Sequence, residues 1–463
     1  MSKAKHASNG NGGAAVHPHG ERRHGGRRHG DTPVPEDLTE SIAAEGMLGM
    51  ESDALVEAVK NFNEAAEIMD LDPNITPRLR QPDKIIIVSC PVQREDGHVQ
   101  MFTGIRVQHC DILGPYKGGV RFHPDVELGE VTALAMAMSW KTALMGLPLG
   151  GAKGGVRVNP HTLTKGELEA LTRRYTSELL LNIGPDIDIP APDMGTNDQI
   201  MAWMMDTYSM HFSRTTPGVV TGKPELTGGS AGRREATGRG VAYMVEEACR
   251  VLNMKLEGAR VVVHGFGNVG SVAVDQLSQR GAKIVAVADA NGGYINDKGI
   301  NVAAAMKHTS SSRGLTGFRG GDRVDSMEVL THPCDILIPA ATAGVLTKRN
   351  AHRVKARLIA EGANGPTTQD ADAVFEANDI FVVPDILCNA GGVTVSYLEW
   401  VQGGAHLFWD EHEVNERLSK IMRDAFHKTL AVSKERKISM RMASLVMAIH
   451  RIEQAMRLRG LYA

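Results

Sequence analysis

Aromatic residues are scarce, at 5% of the chain, which argues against a surface that stacks nucleobases or sugar rings. The five cysteines (Cys90, Cys110, Cys249, Cys334, Cys388) are odd in number and far apart, and none forms a CxxC pair. Neither a disulfide framework nor a zinc knuckle is suggested, and a reducing, cytoplasmic setting is expected. No run of about 18 apolar residues is present, so no membrane span is expected. The nearest candidate, 133–149, is broken by Lys141, Gly146 and Pro148. A formal net charge of −3 excludes a globally basic nucleic-acid binder. What the chain does have is length, 463 residues with a hydrophobic fraction of 42%, enough for roughly two or three domain cores. It also has glycine in excess: 50 of 463 residues, about 11% against a usual ~7%.

The first thirty residues hold Arg22, Arg23, Arg27 and Arg28 beside a single acid, Glu21, but no Leu, Ile or Phe. They can form neither an amphipathic presequence helix nor a secretory signal. Residues 1–37 read as a disordered low-complexity tail. Its histidines (His6, His17, His19, His24, His29) leave metal binding or a weak RNA contact as alternatives. No metal centre is expected elsewhere.

Beyond the tail, apolar spacing predicts a helix over 38–69, strands over 85–92 and 99–107, and helices over 126–145 and 165–181. This half has no clear βαβ rhythm. From about residue 221 a different rhythm sets in. A helix is expected over 241–252, then a strand over 259–264, a helix over 268–279 and a strand over 283–288. Further strands are expected near 335–339, 356–360 and 380–383. Strands spaced by helices imply a parallel, doubly wound sheet. The last seventy residues read as helical.

Gly265-Phe-Gly267-Asn268-Val269-Gly270 follows the strand and opens the helix. Gly265 permits the turn, Gly267 lets a pyrophosphate approach the backbone, and Gly270 lets helix and strand pack closely. The free N–H groups at the helix start then meet the phosphates. Nineteen residues after Gly270, Asp289 is placed to accept ribose hydroxyls and to repel a 2′-phosphate. NAD is therefore favoured, with NADP as the alternative.

The first half carries three lysines in glycine-rich surroundings: Lys117 in GPYKGGVRF, Lys141 in SWKTA and Lys153 in GGAKGG. Lysine flanked by glycines fits neither helix nor strand needs, so these segments are expected to bend as loops, the glycines giving the lysines room to face a ligand. Three such lysines suit a small dianion, one ammonium per carboxylate. A third lysine crowded by the other two would lose its proton more readily and could act as a base. Asp193, on an expected proline-stiffened loop, Ile187-Asp-Ile-Pro-Ala-Pro-Asp193, is the candidate partner acid.

Together PYKGGVRF, SWKTA, GGAKGG, PAPDMGT, TGRG, GFGNVG, AEGAN and NAGGVTVSYLEW resemble the hexameric glutamate dehydrogenases of the Glu/Leu/Phe/Val dehydrogenase family, from about residue 38 to the C-terminus. The resemblance implies a two-domain α/β fold. One domain, 38–220, binds substrate and oligomerises; the other, 221–437, is a Rossmann dinucleotide-binding domain, and 438–463 return to the first. It implies that Lys153 activates water and that Asp193 shuttles a proton to and from the substrate nitrogen. Lys141 would hold the α-carboxylate, and Lys117 with Ser396 the distal one. Thr237 and Asn268 would contact the dinucleotide, with Asn364 and Asn389 near its nicotinamide half. L-glutamate, 2-oxoglutarate and ammonia would be the reactants and a homohexamer the assembly. A branched-chain or aromatic amino-acid dehydrogenase is disfavoured, because an unpaired ammonium at 117 would face an apolar side chain. A regulatory or RNA-associated protein on a degenerate dehydrogenase fold is disfavoured because Lys153, Asp193 and the dinucleotide glycines are all intact.

Overall fold

A computed structural model describes residues 52–312 and 314–460. The low-complexity tail and the first part of the helix expected over 38–69 lie outside these residues. Within them the chain builds two sheets, each with its own helices.

The first sheet has five strands in the order β1-β2-β4-β3-β5: β1 (Lys84–Gln93), β2 (Val99–Cys110), β3 (Tyr116–His123), β4 (Gly151–Arg157) and β5 (Asp188–Pro192). β1 and β2 form an antiparallel hairpin, β2 runs antiparallel to β4, and β4, β3 and β5 are parallel. Helices cover both faces: α1 (Asp53–Met69) and α2 (Leu128–Leu144) belong to one, α3 (Lys165–Glu178) and α4 (Asp198–His211) to the other. Val131 and Ala135 of α2 pack with Ile105 and Val107. Leu171 and Tyr175 of α3 and Ile200 and Met204 of α4 pack with Val120, Phe122 and Val156.

Three of these strands correct the sequence reading. The lysine segments and the proline stretch are not loops: PYKGGVRF is β3, GGAKGGVR contains β4, and Asp193 follows β5 directly. Their glycines serve close approach inside the sheet rather than room for lysine. A Cβ on Gly118 would lie 1.5 Å from the Ala152 carbonyl oxygen, and one on Gly154 would lie 2.8 Å from Arg106 Cδ. The prolines are tolerated because β5 is an edge strand.

The second sheet runs β12-β11-β10-β6-β7-β8-β9. β6 (Arg260–His264), β7 (Lys283–Asp289), β10 (Ile336–Pro339), β11 (Leu358–Ala360) and β12 (Phe381–Val383) are parallel. β8 (Gly292–Ile295) and β9 (Asp322–Val324) form an antiparallel edge that the parallel reading did not anticipate. The turn at Ala290-Asn291 reverses the chain before a crossover helix can form, with Gly292 at φ +147°. α5 (Ala236–Val251) precedes β6, starting five residues earlier than expected, and α6 (Asn268–Gln279) follows it. Farther along come α7 (Val302–Ser312), α8 (Gln369–Ala377), α9 (Gly391–Ala405), α10 (Glu411–Arg436) and α11 (Met440–Arg459). The last of these packs against α1 and α2, where Arg451 and Arg459 donate to the Ala143 and Ile112 carbonyls at 3.4 and 2.8 Å.

The glycine argument predicts opposite outcomes at two positions. Gly118→Ala should cost about 3 kcal/mol or more in urea denaturation, because β3 and β4 must separate. Gly166→Ala, on α3 with nothing within 4 Å of the added Cβ, should be neutral or stabilise by up to about 1 kcal/mol. Equal midpoints for the two variants would contradict the packing account.

Candidate active site

In a strand, alternate residues share a face. The register pairs Lys117 with Ile189, Arg121 with Gly155 and Val107 with Lys153. Lys117, Arg121, Lys153 and, one residue past β5, Asp193 therefore all lie on the α2 side of the sheet. Their intervening neighbours face α3. On that far side Arg106, wholly buried, crosses above Gly154 and donates to the Gly118 and Gly119 carbonyls and to the buried Asp188. Gln108 completes that carboxylate at 2.9 Å.

Lys153 Nζ lies 2.5 Å from Asp193 Oδ2, and Arg121 Nε approaches the same oxygen at 3.3 Å. Burial pushes the Asp193 carboxyl up, but Lys153 and Arg121 overcome it and hold it at about 2. The loop is fixed as well. The Asp193 N–H donates to Thr196 Oγ1, whose hydroxyl donates to the Val120 carbonyl, and Gly195 takes φ +74° against Phe122.

Lys117 is buried and donates to the Ile189 carbonyl at 3.0 Å. Burial lowers its proton affinity well below the ordinary lysine range. The positive charges of Arg233 and Arg106 add to this, while Glu399 and Asp188 oppose it. Ser396, on α9, accepts a hydrogen bond from Arg233 Nε at 3.0 Å. Glu399, one turn along the same helix, is buried against Lys223 at 2.6 Å and caps the Gly222 N–H. The helix carrying Ser396 is thus tied to the chain that leaves the first sheet.

Lys141, on α2, reaches across to the second sheet's loops, donating to Asn389 Oδ1 at 2.7 Å and Asn364 Oδ1 at 3.3 Å. Asn389 donates in turn to Asn364 Oδ1 at 2.8 Å. Burial lowers the proton affinity of Lys141, with Asp385 opposing and Lys153 adding to the shift. The three lysines and Asp193 therefore lie around one junction between the two sheets.

The dinucleotide glycines meet three different environments. A Cβ on Gly270 would lie 1.8 Å from the Gly265 carbonyl oxygen, so this glycine is demanded by helix-on-strand packing. Gly265 takes φ +108° against the Ala340 backbone. Gly267 has nothing within 4 Å of its Cβ position, so the fold itself does not require glycine there. A pyrophosphate approaching the start of α6 would require it, and the fit to a dinucleotide rests on that open cradle. Asn268 is exposed and Val269 half-buried at the start of α6; Thr237 stands on α5. Asp289 is engaged by its own chain: Oδ1 accepts from the Asn291 N–H at 2.8 Å and Oδ2 from the Leu315 N–H at 2.5 Å. Any ribose hydroxyl would share these oxygens with backbone donors.

Three arginines escaped the sequence reading. Arg233 stands beside Ser396, Arg121 beside Asp193, and Arg441 on α11 pairs with Glu361 at 2.7 Å, directly before the Gly362-Ala363-Asn364 turn. Arg121 is visible inside the PYKGGVRF motif, where strand periodicity would have placed it on the Lys117 face. Arg233 and Arg441 have no local signal, because their partners are 163 and 80 residues away.

Comparison with known proteins bears on most of the chain. The Glutamate/Leucine/Phenylalanine/Valine dehydrogenase family model matches residues 228–460, and the Glu/Leu/Phe/Val dehydrogenase dimerisation-domain model matches residues 82–210. A glutamate dehydrogenase of Thermotoga maritima is 49% identical over 406 residues, covering 88% of this chain and 98% of that protein. NAD-specific glutamate dehydrogenase A of Halobacterium salinarum is 46% identical over 409 residues, covering 88% and 94%. Among solved structures, the hetero-hexameric glutamate dehydrogenase of Thermus thermophilus superposes with a TM-score of 0.86 at 38% identity, covering 89% of this chain and 99% of that one. The chain belongs to the Glu/Leu/Phe/Val dehydrogenase family of amino-acid dehydrogenases.

Proposed function

We propose that the chain is a glutamate dehydrogenase. It converts L-glutamate and water to 2-oxoglutarate and ammonia, reversibly, with NAD preferred over NADP as hydride acceptor. The observation that carries the substrate is the pairing of buried Lys117, its proton affinity lowered by burial and by Arg233, with Arg233 and Ser396 close by: a distal carboxylate would answer these donors and favour the charged lysine, whereas an apolar amino acid would leave them unmatched. The curated relatives at 46–49% identity carry the same activity in their names.

When bound, the nicotinamide accepts a hydride from the substrate Cα. The chain's own groups do the rest. Lys141 holds the α-carboxylate, and Lys117 with Ser396 and Arg233 holds the distal one, fixing the substrate at both ends. Asp193 takes a proton from the substrate ammonium, so that the amine can become the imine as the hydride leaves. Lys153 draws a proton from water, which adds to the imine carbon. Asp193 then returns a proton to the departing nitrogen, ammonia leaves as the carbinol hydroxyl becomes the carbonyl of 2-oxoglutarate, and that hydroxyl and Lys153 release their protons to solvent. Asn364 and Asn389, which hold Lys141, stand at the nicotinamide side and link the α-carboxylate site to the coenzyme loops.

We further propose a homohexamer in a reducing, cytoplasmic compartment. Ile87, Val99 and Met101 share one face of the β1–β2 hairpin and are each 59–60% exposed, an apolar surface suited to a second copy. The five cysteines are free and buried, which suits a reducing setting.

Lys153→Ala should lower kcat by about a thousandfold or more while NAD binding changes little, read by 340 nm turnover and coenzyme titration. Turnover like the wild type would refute its role. Lys117→Leu combined with Ser396→Val should move preference from L-glutamate towards apolar amino acids by about a hundredfold in kcat/KM. Unchanged discrimination would overturn the distal-carboxylate assignment.

A further inference from the structure

Asp193 has a second cation beside Lys153. Arg121 spans two carboxylates, with Nε 3.3 Å from Asp193 Oδ2 and Nη1 2.5 Å from Glu130 Oε1. Glu130 lies in the first turn of α2, the helix that carries Lys141, and the positive end of that helix favours its charge. Both cations approach the same carboxylate oxygen, Oδ2.

We propose that Arg121, oriented by Glu130, is a positioning residue that keeps the Asp193 carboxylate ionised with Oδ1 turned to the substrate nitrogen. The proposal rests on the reading of Asp193 as the group that exchanges a proton with that nitrogen. Lys153 cannot do this work alone. In the proposed reaction it changes its own proton state when it draws on water, and its charge beside Asp193 comes and goes within a turnover. A guanidinium does not titrate, so the field of Arg121 on the carboxylate is constant through the cycle. Its planar fork also fixes direction: one nitrogen meets Asp193 while another is anchored on Glu130, a geometry that the point charge of a lysine cannot reproduce. The remaining groups facing Asp193 are Lys153 from β4, Lys141 from α2, and the Met194 N–H and Thr196 hydroxyl of its own loop. Through Glu130, Arg121 ties Asp193 to α2.

The test is kcat and KM for the full-length enzyme with L-glutamate and saturating NAD. Arg121→Gln should lower kcat about tenfold to a hundredfold, with KM for L-glutamate changing much less than kcat. Arg121→Lys should recover part of that loss, to within about threefold to tenfold of the wild type, because the charge remains but cannot span both carboxylates. Glu130→Gln should lower kcat about threefold or more, again with little change in KM. A rise in KM as large as the fall in kcat, or no recovery in Arg121→Lys, would mean a merely structural role, and an unchanged rate would mean none; either overturns the proposal. Should Arg121→Gln fail to fold, Arg121→Lys and Glu130→Gln decide, and wild-type behaviour in both overturns it. Wild-type enzyme inactive on L-glutamate would instead sink the functional reading itself. Active wild type with unmoved variants sinks only the role of Arg121.

Discussion

Arg106 is sealed from solvent, and the rest of the site depends on how its charge is met. An isolated guanidinium in the interior would be prohibitively costly, so its donors must all be answered. Asp188 answers from β5 and the Gly118 and Gly119 carbonyls from β3, across the intervening β4. The side chain can take that route because position 154 has no Cβ. One buried pair thus ties β2, β3 and β5 together over β4 on the far side of the sheet. The opposite side is left to Lys117, Arg121, Lys153 and Asp193. The charges that face a substrate are held in place by a charge pair that no substrate can reach.

This arrangement explains which parts were legible in the sequence. The β6–α6 unit announced itself because its signals are local: an apolar strand, a glycine turn and a helix whose observed limits, Asn268–Gln279, match the expected ones. The lysine motifs were visible as motifs but misjudged as structure. Glycine-rich stretches usually mean turns, and the sequence holds no sign that an arginine 48 residues away from Gly154 needs a path across β4. The β8–β9 edge was missed for a related reason, since strands of 4 and 3 residues carry too little periodicity to stand out. Arg233 and Arg441 were invisible because their meaning lies wholly in tertiary contacts.

The two sheets share one buried apolar cluster, in which Met136, Trp140 and Leu144 of α2 join Leu387, Cys388 and Val446, and a few polar contacts cross the junction beside it. Lys141 meets Asn389 and Asn364 on one side. On another, Gln369 of α8 is clasped between Lys60 and Asn61 of α1 at 2.9 and 2.5 Å. Arg441 links α11, which packs on the first domain's helices, to Glu361, Asp372 and Asp385 beneath the Asn364 turn. Polar links of this kind can be exchanged for water at modest cost, unlike buried apolar area. They suit a junction at which one side supplies substrate lysines and the other supplies coenzyme loops.

The central claim is that buried Lys117, with Arg233 beside it, selects a dicarboxylic amino acid. It is tested most directly by the ratio of kcat/KM for L-glutamate to that for L-leucine, measured with the wild-type chain and NAD at near-neutral pH. The account predicts a ratio of about a thousand or more, because leucine would leave the buried Lys117 donors and the Arg233 guanidinium without a carboxylate partner. A ratio near one, or a preference for leucine, would contradict it.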